Sequence, residues 1–126
     1  MSNKVKPIFR KVEIEKKGWG EEVYLANNEH YCGKLLKFNK GSTFSLHAHD
    51  SKIESFYLLF GRVEFRYLNL ENAEPMSEIL FQGDVVDIPR LCFHQVHALE
   101  DSTIIEISTF HRSDDSFRVG KGDGQK

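Results

Sequence analysis

GSTFSLHAHDSKIESFYLLFG, residues 41–61, decides the fold class. Alternate residues of a strand face the same side. Ser45, His47 and His49 therefore share one face in the first half of the stretch, and Glu54, Phe56, Leu58 and Phe60 share one in the second. The second face is a core face, yet it carries a carboxylate. A buried carboxylate without a partner is strongly unfavourable or takes up a proton. The two histidines of the preceding strand, a short turn away, are the partner the sequence offers.

Outward from this stretch the chain repeats one theme. Short runs rich in β-branched and aromatic residues cover 7–15, 21–26, 31–38, 43–49, 54–60, 62–68, 77–82, 84–89, 93–99 and 103–110. Gly, Asn, Asp or Pro breaks them at the 8–12 residue spacing of a sandwich or barrel, and long i, i+3, i+4 patterns are missing. The expectation is an all-β single domain over 1–126, with a barrel core over about 20–112. Residues 7–15 read as an extra edge strand, SDDSFR (113–118) as one helical turn capped by Ser113, and 119–126 as a flexible tail.

The 126 residues carry a net charge of −2 without a basic cluster, which speaks against nucleic-acid or anionic-membrane partners. Cys32 and Cys92 lack metal-ribbon spacing and are expected as buried free thiols. The N-terminus has no apolar signal-like run, and no stretch approaches the ~18 apolar residues of a membrane span. A reducing cytoplasm is the expected location.

A third histidine follows in GDVVDIPRLCFHQVHAL, residues 83–99, where a new strand opens with His94. If that strand pairs beside 43–49, His94 completes a set of three imidazoles and one carboxylate. Such a set suits Mn, Fe, Ni, Cu, Co or Zn and leaves positions open for a ligand. H-x-H alone is weak, because strand histidines can simply be hydrogen-bonded, and His30, His97 and His111 are also present. Glycines at fixed offsets add the weight.

Gly41, five residues, His47-Ala48-His49, four residues, Glu54, six residues and Gly61 resemble the first cupin motif. Gly83, five residues, Pro89, four residues and His94 resemble the second. Leu91 stands where the family usually has glycine, and Ala98 where asparagine is common. The resemblance implies a cupin double-stranded β-helix, a jelly-roll barrel, with a divalent metal (Mn, Fe, Zn or Ni) held in its mouth by His47, His49, Glu54 and His94. It equally admits a barrel that uses the same residues, without metal, as polar ligand contacts.

KGWGEE, YCGKLL, FSLHAH and IIEISTFHRSDDSFRV further resemble the cupin domain of type II mannose-6-phosphate isomerases, at Trp19, Gly20, Tyr31, Lys34, Asp114, Asp115 and Arg118. The match departs at His47, where those enzymes commonly have glutamine, and at Ser51, where they place a histidine. It implies an isomerase- or epimerase-like enzyme acting on a sugar or sugar phosphate. The alternatives are an iron-dependent cupin dioxygenase and a non-catalytic module that binds a small ligand.

Three residues are candidates for catalysis. Lys34 shares a face with Leu36 and Phe38, and either binds an oxyanion from inside the barrel, acts as a base there, or lies exposed across a bulge. Glu54, if displaced from the metal, is a second candidate base. Arg118 suits phosphate or carboxylate capture, against an ordinary ion pair with Asp114. Tyr57, Gln95 and His97 have outward parity. One of Arg66 and Tyr67 reaches the cavity, and Trp19 is expected in core or lid packing. The expected partners are a small carbohydrate and a second copy of the chain, paired through the N-terminal edge strand.

Overall fold

The alternation read from residues 54–60 exists in space: Glu54, Phe56 and Leu58 are buried, while Ser55 and Tyr57 between them are half-buried. A computed structural model describes residues 6–110, 115–120 and 122. Its strands are β1 (Glu13–Lys17), β2 (Gly20–Asn27), β3 (Cys32–Phe38), β4 (Leu46–His49), β5 (Glu54–Phe60), β6 (Arg62–Leu68), β7 (Pro75–Phe81), β8 (Val85–Ile88), β9 (His94–Ala98), β10 (Ser102–Ser108) and β11 (Ser116–Gly120). Among the described residues there is no α-helix, and so none long and apolar enough to cross a membrane.

The strands form two antiparallel sheets, ordered β1-β2-β3-β10-β5-β8 and β11-β4-β9-β6-β7. Sequence neighbours β4 and β5, and β9 and β10, lie in different sheets, so the chain wraps back and forth across the sandwich as a jelly roll. The inward faces of both sheets meet over Phe38, Phe56, Leu58, Val63, Phe65, Val96 and Ile104, all nearly sealed from solvent. Full burial of each such side chain contributes roughly 1.5–3 kcal/mol. Trp19 belongs to this core, stacked on Phe38 at 4.5 Å between ring centroids.

Two turn residues explain the spacing of the motifs. Gly61 joins β5 to β6 at φ 97°, and a Cβ there would lie 2.2 Å from Ser102 Oγ and 2.6 Å from Asp101 O. Only glycine fits. Leu91, at the position where glycine is usual, keeps the left-handed turn all the same, at φ 62°. Its amide donates to the His49 carbonyl at 2.8 Å, so the strained turn ties β4 to the loop before β9.

Four expectations need correction. The N-terminal strand starts at Glu13, and 7–12 is extended chain outside any strand. Pairing of β1 with β2 stops at Tyr24, the residue at which the β2–β3 ladder shifts register. The run 43–49 is regular only from Leu46; Thr43 makes an isolated bridge to His97. Phe60 is half exposed, because β5 ends there in the Gly61 turn. From Ser116 the expected helical turn is instead β11, because the open edge of β4 offers backbone partners: Ser116 pairs with His49 and Arg118 with His47. His111, Ser113 and Asp114, including the possible Asp114–Arg118 pair, lie outside the described residues.

Candidate functional site

His47 and His94 are register partners across β4 and β9. The pairing puts both imidazoles on the inward face, with ring centroids 4.6 Å apart. His49, two residues along β4, brings a third ring to within 5.0 Å of His47 and 6.2 Å of His94. Glu54 enters from β5 in the opposite sheet. The four residues foreseen as a set therefore converge.

Their hydrogen bonds sort the ring nitrogens. His47 Nδ1 lies 2.8 Å from Ser45 O, and His94 Nδ1 lies 2.9 Å from Cys92 O. A carbonyl only accepts, so each Nδ1 carries the hydrogen, and in the neutral ring Nε2 keeps the lone pair. His94 Nε2 then faces Glu54 Oε2 at 3.2 Å, and His49 Nε2 lies 3.6 Å from the same oxygen. Both Glu54 Oε2 and His94 Nε2 are buried and make no hydrogen bond. A lone pair against a carboxylate oxygen at this distance is repulsive unless a proton or a cation lies between them. Burial, followed by the neighbouring His94, holds the His47 ring down to about 3; burial, followed by the charge of Lys52, does the same to His49. The neutral rings of His47 and His49 are the donor forms a divalent cation needs. The donor chemistry fits such a cation, although among the described residues no group of three or more His, Cys, Asp or Glu donors is arranged, as it stands, to hold a metal ion.

Asp115 braces this pole. Its Oδ1 accepts from the amides of Asp50 and Ser51 at 3.1 and 2.9 Å and from the Ser51 hydroxyl at 3.1 Å. Its Oδ2 stands 3.9 Å from His49 Nδ1. Burial raises the Asp115 pKa, but donation from Ser51 outweighs this and leaves it below the ordinary value.

The same cavity is lined by further charged groups. Lys34 points inward with 2% of its surface exposed, which settles the alternation in favour of the barrel interior. Its Nζ donates to Glu22 Oε1 at 3.0 Å and sits 4.9 Å over the Tyr24 ring. Burial alone would lower the Lys34 pKa, but Glu106 and Glu22 overcome it and raise it, so the side chain is an ammonium. Lys52 and Glu106 form a buried pair at 2.8 Å. Arg118 lines the cavity from β11 with its side chain exposed. The cavity, about 190 Å³, is thus lined by the His47 and His49 imidazoles and the Glu54 carboxylate, by the ammonium groups of Lys34 and Lys52 with Glu22 and Glu106, and by Trp19, Leu36, Phe44 and Phe56.

Other candidates fall outside it. Tyr67 is the inward member of its pair and packs against the core, while Arg66 faces out onto Glu64 and Gln95. His97 bonds Thr43 Oγ1 at 2.7 Å, and His30 lies at the surface beside Glu29. The residues not foreseen are Glu22, Lys52 and Glu106. Glu106 carries the same signal as Glu54, a carboxylate at core parity, since it alternates with buried Ile104 and Ser108. Lys52 lies in a turn, where no periodicity marks it.

No protein-family model matches the chain, and no curated protein matches its sequence. Solved structures do match in shape. The capsular polysaccharide assembling protein CapF from Staphylococcus aureus superposes with a TM-score of 0.74 at 18% identity, over 89% of this chain and 33% of that one. KdgF from Halomonas sp. superposes at 0.69 and 21% identity, over 83% and 90%. Oxalate decarboxylase from Bacillus subtilis gives 0.71 and 17%, over 86% and 30%. The chain spans about a third of CapF and of the decarboxylase and most of KdgF. At these identities the likeness establishes the fold.

Proposed function

The chain has the cupin fold, and on that premise we propose that it binds a divalent cation through His47, His49, Glu54 and His94 and acts on a small polar ligand, a sugar or sugar phosphate, by isomerase- or epimerase-like chemistry. The observation that carries the reading is the contact of Glu54 Oε2 with His94 Nε2, two buried acceptors facing each other without a hydrogen bond. A cation between them would turn that repulsion into ligation and, when bound, would act as a Lewis acid on a carbonyl oxygen.

The remaining roles belong to the chain's own groups. Lys34, kept charged by Glu106 and Glu22, donates to a ligand oxygen that gathers negative charge. As an ammonium it is a donor rather than a base. Glu54, when displaced from the cation, is the carboxylate that would carry a proton between adjacent carbons. Arg118, at the exposed side of the cavity, fits a phosphate or carboxylate on the ligand. The apolar strip of Trp19, Phe44 and Phe56 gives one face of a sugar ring a surface to lie on and excludes water. CapF is a capsular polysaccharide assembling protein, which supports a carbohydrate ligand for the shared fold. The likeness to the isomerase cupin at Trp19, Lys34, Asp115 and Arg118 points the same way.

Metal analysis of the purified protein tests the first half, and incubation with aldose phosphates, followed by detection of ketose, tests the second. Bound zinc or manganese with ketose formation is expected. Bound iron with oxygen consumption and no ketose would instead favour the dioxygenase, which the apolar strip also suits. Tight sugar binding without turnover would leave a binding module. The homodimer belongs to the same proposal: Ile8 and Phe9 are 79% and 92% exposed just ahead of edge strand β1, and apolar surface of that kind needs cover. A dimer mass by light scattering is expected, and a monomer would remove it.

A further inference from the structure

Glu54 is held from two sides. Its Oε2 faces His94 Nε2 at 3.2 Å and His49 Nε2 at 3.6 Å, while its Oε1 lies 3.6 Å from Lys52 Nζ. Lys52 sits in the turn between β4 and β5, where a side chain normally reaches water, yet only 3% of it is exposed. Its ammonium is anchored 2.8 Å from Glu106 Oε2, and the Ser108 hydroxyl donates to that same oxygen at 3.0 Å. Withdrawing a lysine from water is costly, and its charge opposes any second cation nearby. What the arrangement provides is a division of the Glu54 carboxylate, one oxygen toward the ammonium and one toward the imidazoles.

We propose that Lys52 is a positioning residue that reserves Glu54 Oε1, so that the carboxylate presents a single oxygen to the cation and coordination positions stay open for the ligand. The inference rests on the metal-binding reading. Glu106 and Ser108 hold Lys52 at that station, and an ammonium has no lone pair with which to join the ligand set.

The test replaces the pair together, Lys52→Met with Glu106→Gln, so that Glu106 is not left buried without its ammonium; Lys52→Arg keeps the charge. In a crystal structure of the metal-free double variant the Glu54 carboxylate is expected to leave its wild-type orientation. Glu54 found unmoved overturns the proposal, whatever the metal does. In Co²⁺ titrations the double variant is expected to shift the visible absorption bands and to bind at least threefold more tightly, because both oxygens become available, while Lys52→Arg retains the wild-type spectrum. Coincident spectra and affinities in all three proteins also overturn it. A wild type that takes up no Co²⁺, beside a double variant in which Glu54 has turned, removes the metal reading and leaves the positioning role standing.

Discussion

His47 and His94 stand directly opposite each other across β4 and β9, and each holds its own Nδ1 on the carbonyl two residues before it. The backbone thus aims each ring separately, and removing one leaves the other in place. His94→Ala and His47→Ala are each expected to weaken metal binding at least 100-fold, since even residues that only orient a ligand are worth about 10–100-fold. His94 is fully buried against Phe44, Phe56 and Phe65, so its loss also opens a cavity and should lower stability by about 2–5 kcal/mol, as large-to-small core changes do. The His47 variant, half-buried, should lose less. Wild-type metal affinity in both variants by calorimetry would take these residues out of the ligand set.

Leu91 holds a left-handed φ of 62° with about half its side chain exposed. The conformation costs an L-residue roughly 1–2 kcal/mol. Glycine adopts it freely but loses about 0.5–1 kcal/mol more backbone entropy on folding. Leu91→Gly is therefore expected to stabilise the protein by about 0.5–1 kcal/mol in urea unfolding, with metal affinity unchanged because the amide bond to His49 O is kept. Destabilisation would mean that the Leu91 side chain packs more than its exposure indicates.

The barrel and one pole of its cavity were legible in the sequence because both rest on strand alternation and fixed turn offsets. Glu54 was readable as a carboxylate on a core face, and the His47–His94 partnership followed from the two motifs. Glu106 bears the same mark, alternating with buried Ile104 and Ser108. Lys52 had no mark, since a turn lysine is ordinarily solvated and only the folded chain brings it against Glu106 from another strand. Local propensity makes SDDSFR resemble a helix start. The open edge of β4, a long-range feature, outweighed that preference. The run around Lys34 does not by itself fix whether the side chain points inward or outward, because the register shift after Tyr24 lies in the neighbouring strand.

The Lys34–Glu22 pair, at 3.0 Å, is withdrawn from solvent on both sides. Removing one member of such a pair typically costs about 3–5 kcal/mol, because the other charge stays behind. Glu22→Gln is expected toward the low end, since Glu106 still acts on Lys34, and Lys34→Met toward the high end. Converting both, Lys34→Met with Glu22→Leu, should recover most of the loss while abolishing ligand binding. Thermal unfolding of the three variants checks this. Additive losses in the double variant would show that the two residues do not act as a pair.

Acid should unfold the metal-free protein in two stages. His47 and His49 are held at about 3 against an ordinary 6.5, chiefly by burial, so below 6.5 the unfolded chain takes up protons that the folded chain refuses. Stability is then flat above about 6.5, falls between 6.5 and 3, and levels off below that. Glu106 is pushed up by burial but pulled down further by Lys52 and Lys34, to about 2 from 4.5. Its contribution is complete above 4.5 and is lost as pH falls toward 2. Urea midpoints measured with chelator present should decline from pH 6.5 and more steeply from 4.5. Constant midpoints between 6.5 and 4.5 would show that these imidazoles are not neutral in the fold.

Asp115 joins β11 to the turn before Glu54, beside His49, and its substitution separates bracing from the proposed ligation. Its Oδ1 collects the Asp50 and Ser51 amides and the Ser51 hydroxyl, and hydrogen bonds to a charged acceptor contribute about 1.5–3 kcal/mol each. The three share one oxygen and one turn, so the loss in Asp115→Ala should be about 2–4 kcal/mol rather than their sum. The turn that carries Lys52 and leads to Glu54 would loosen, and His49 would lose the carboxylate beside Nδ1. Metal affinity is therefore expected to fall about 10–100-fold, the range for residues that orient a ligand. Asp115→Asn keeps an acceptor for the same three donors and should restore most of the stability but not the affinity, because the charge facing His49 is gone. If Asp115→Asn binds metal as wild type does, the residue only ties β11 and the turn together, and His49 is oriented by its strand alone.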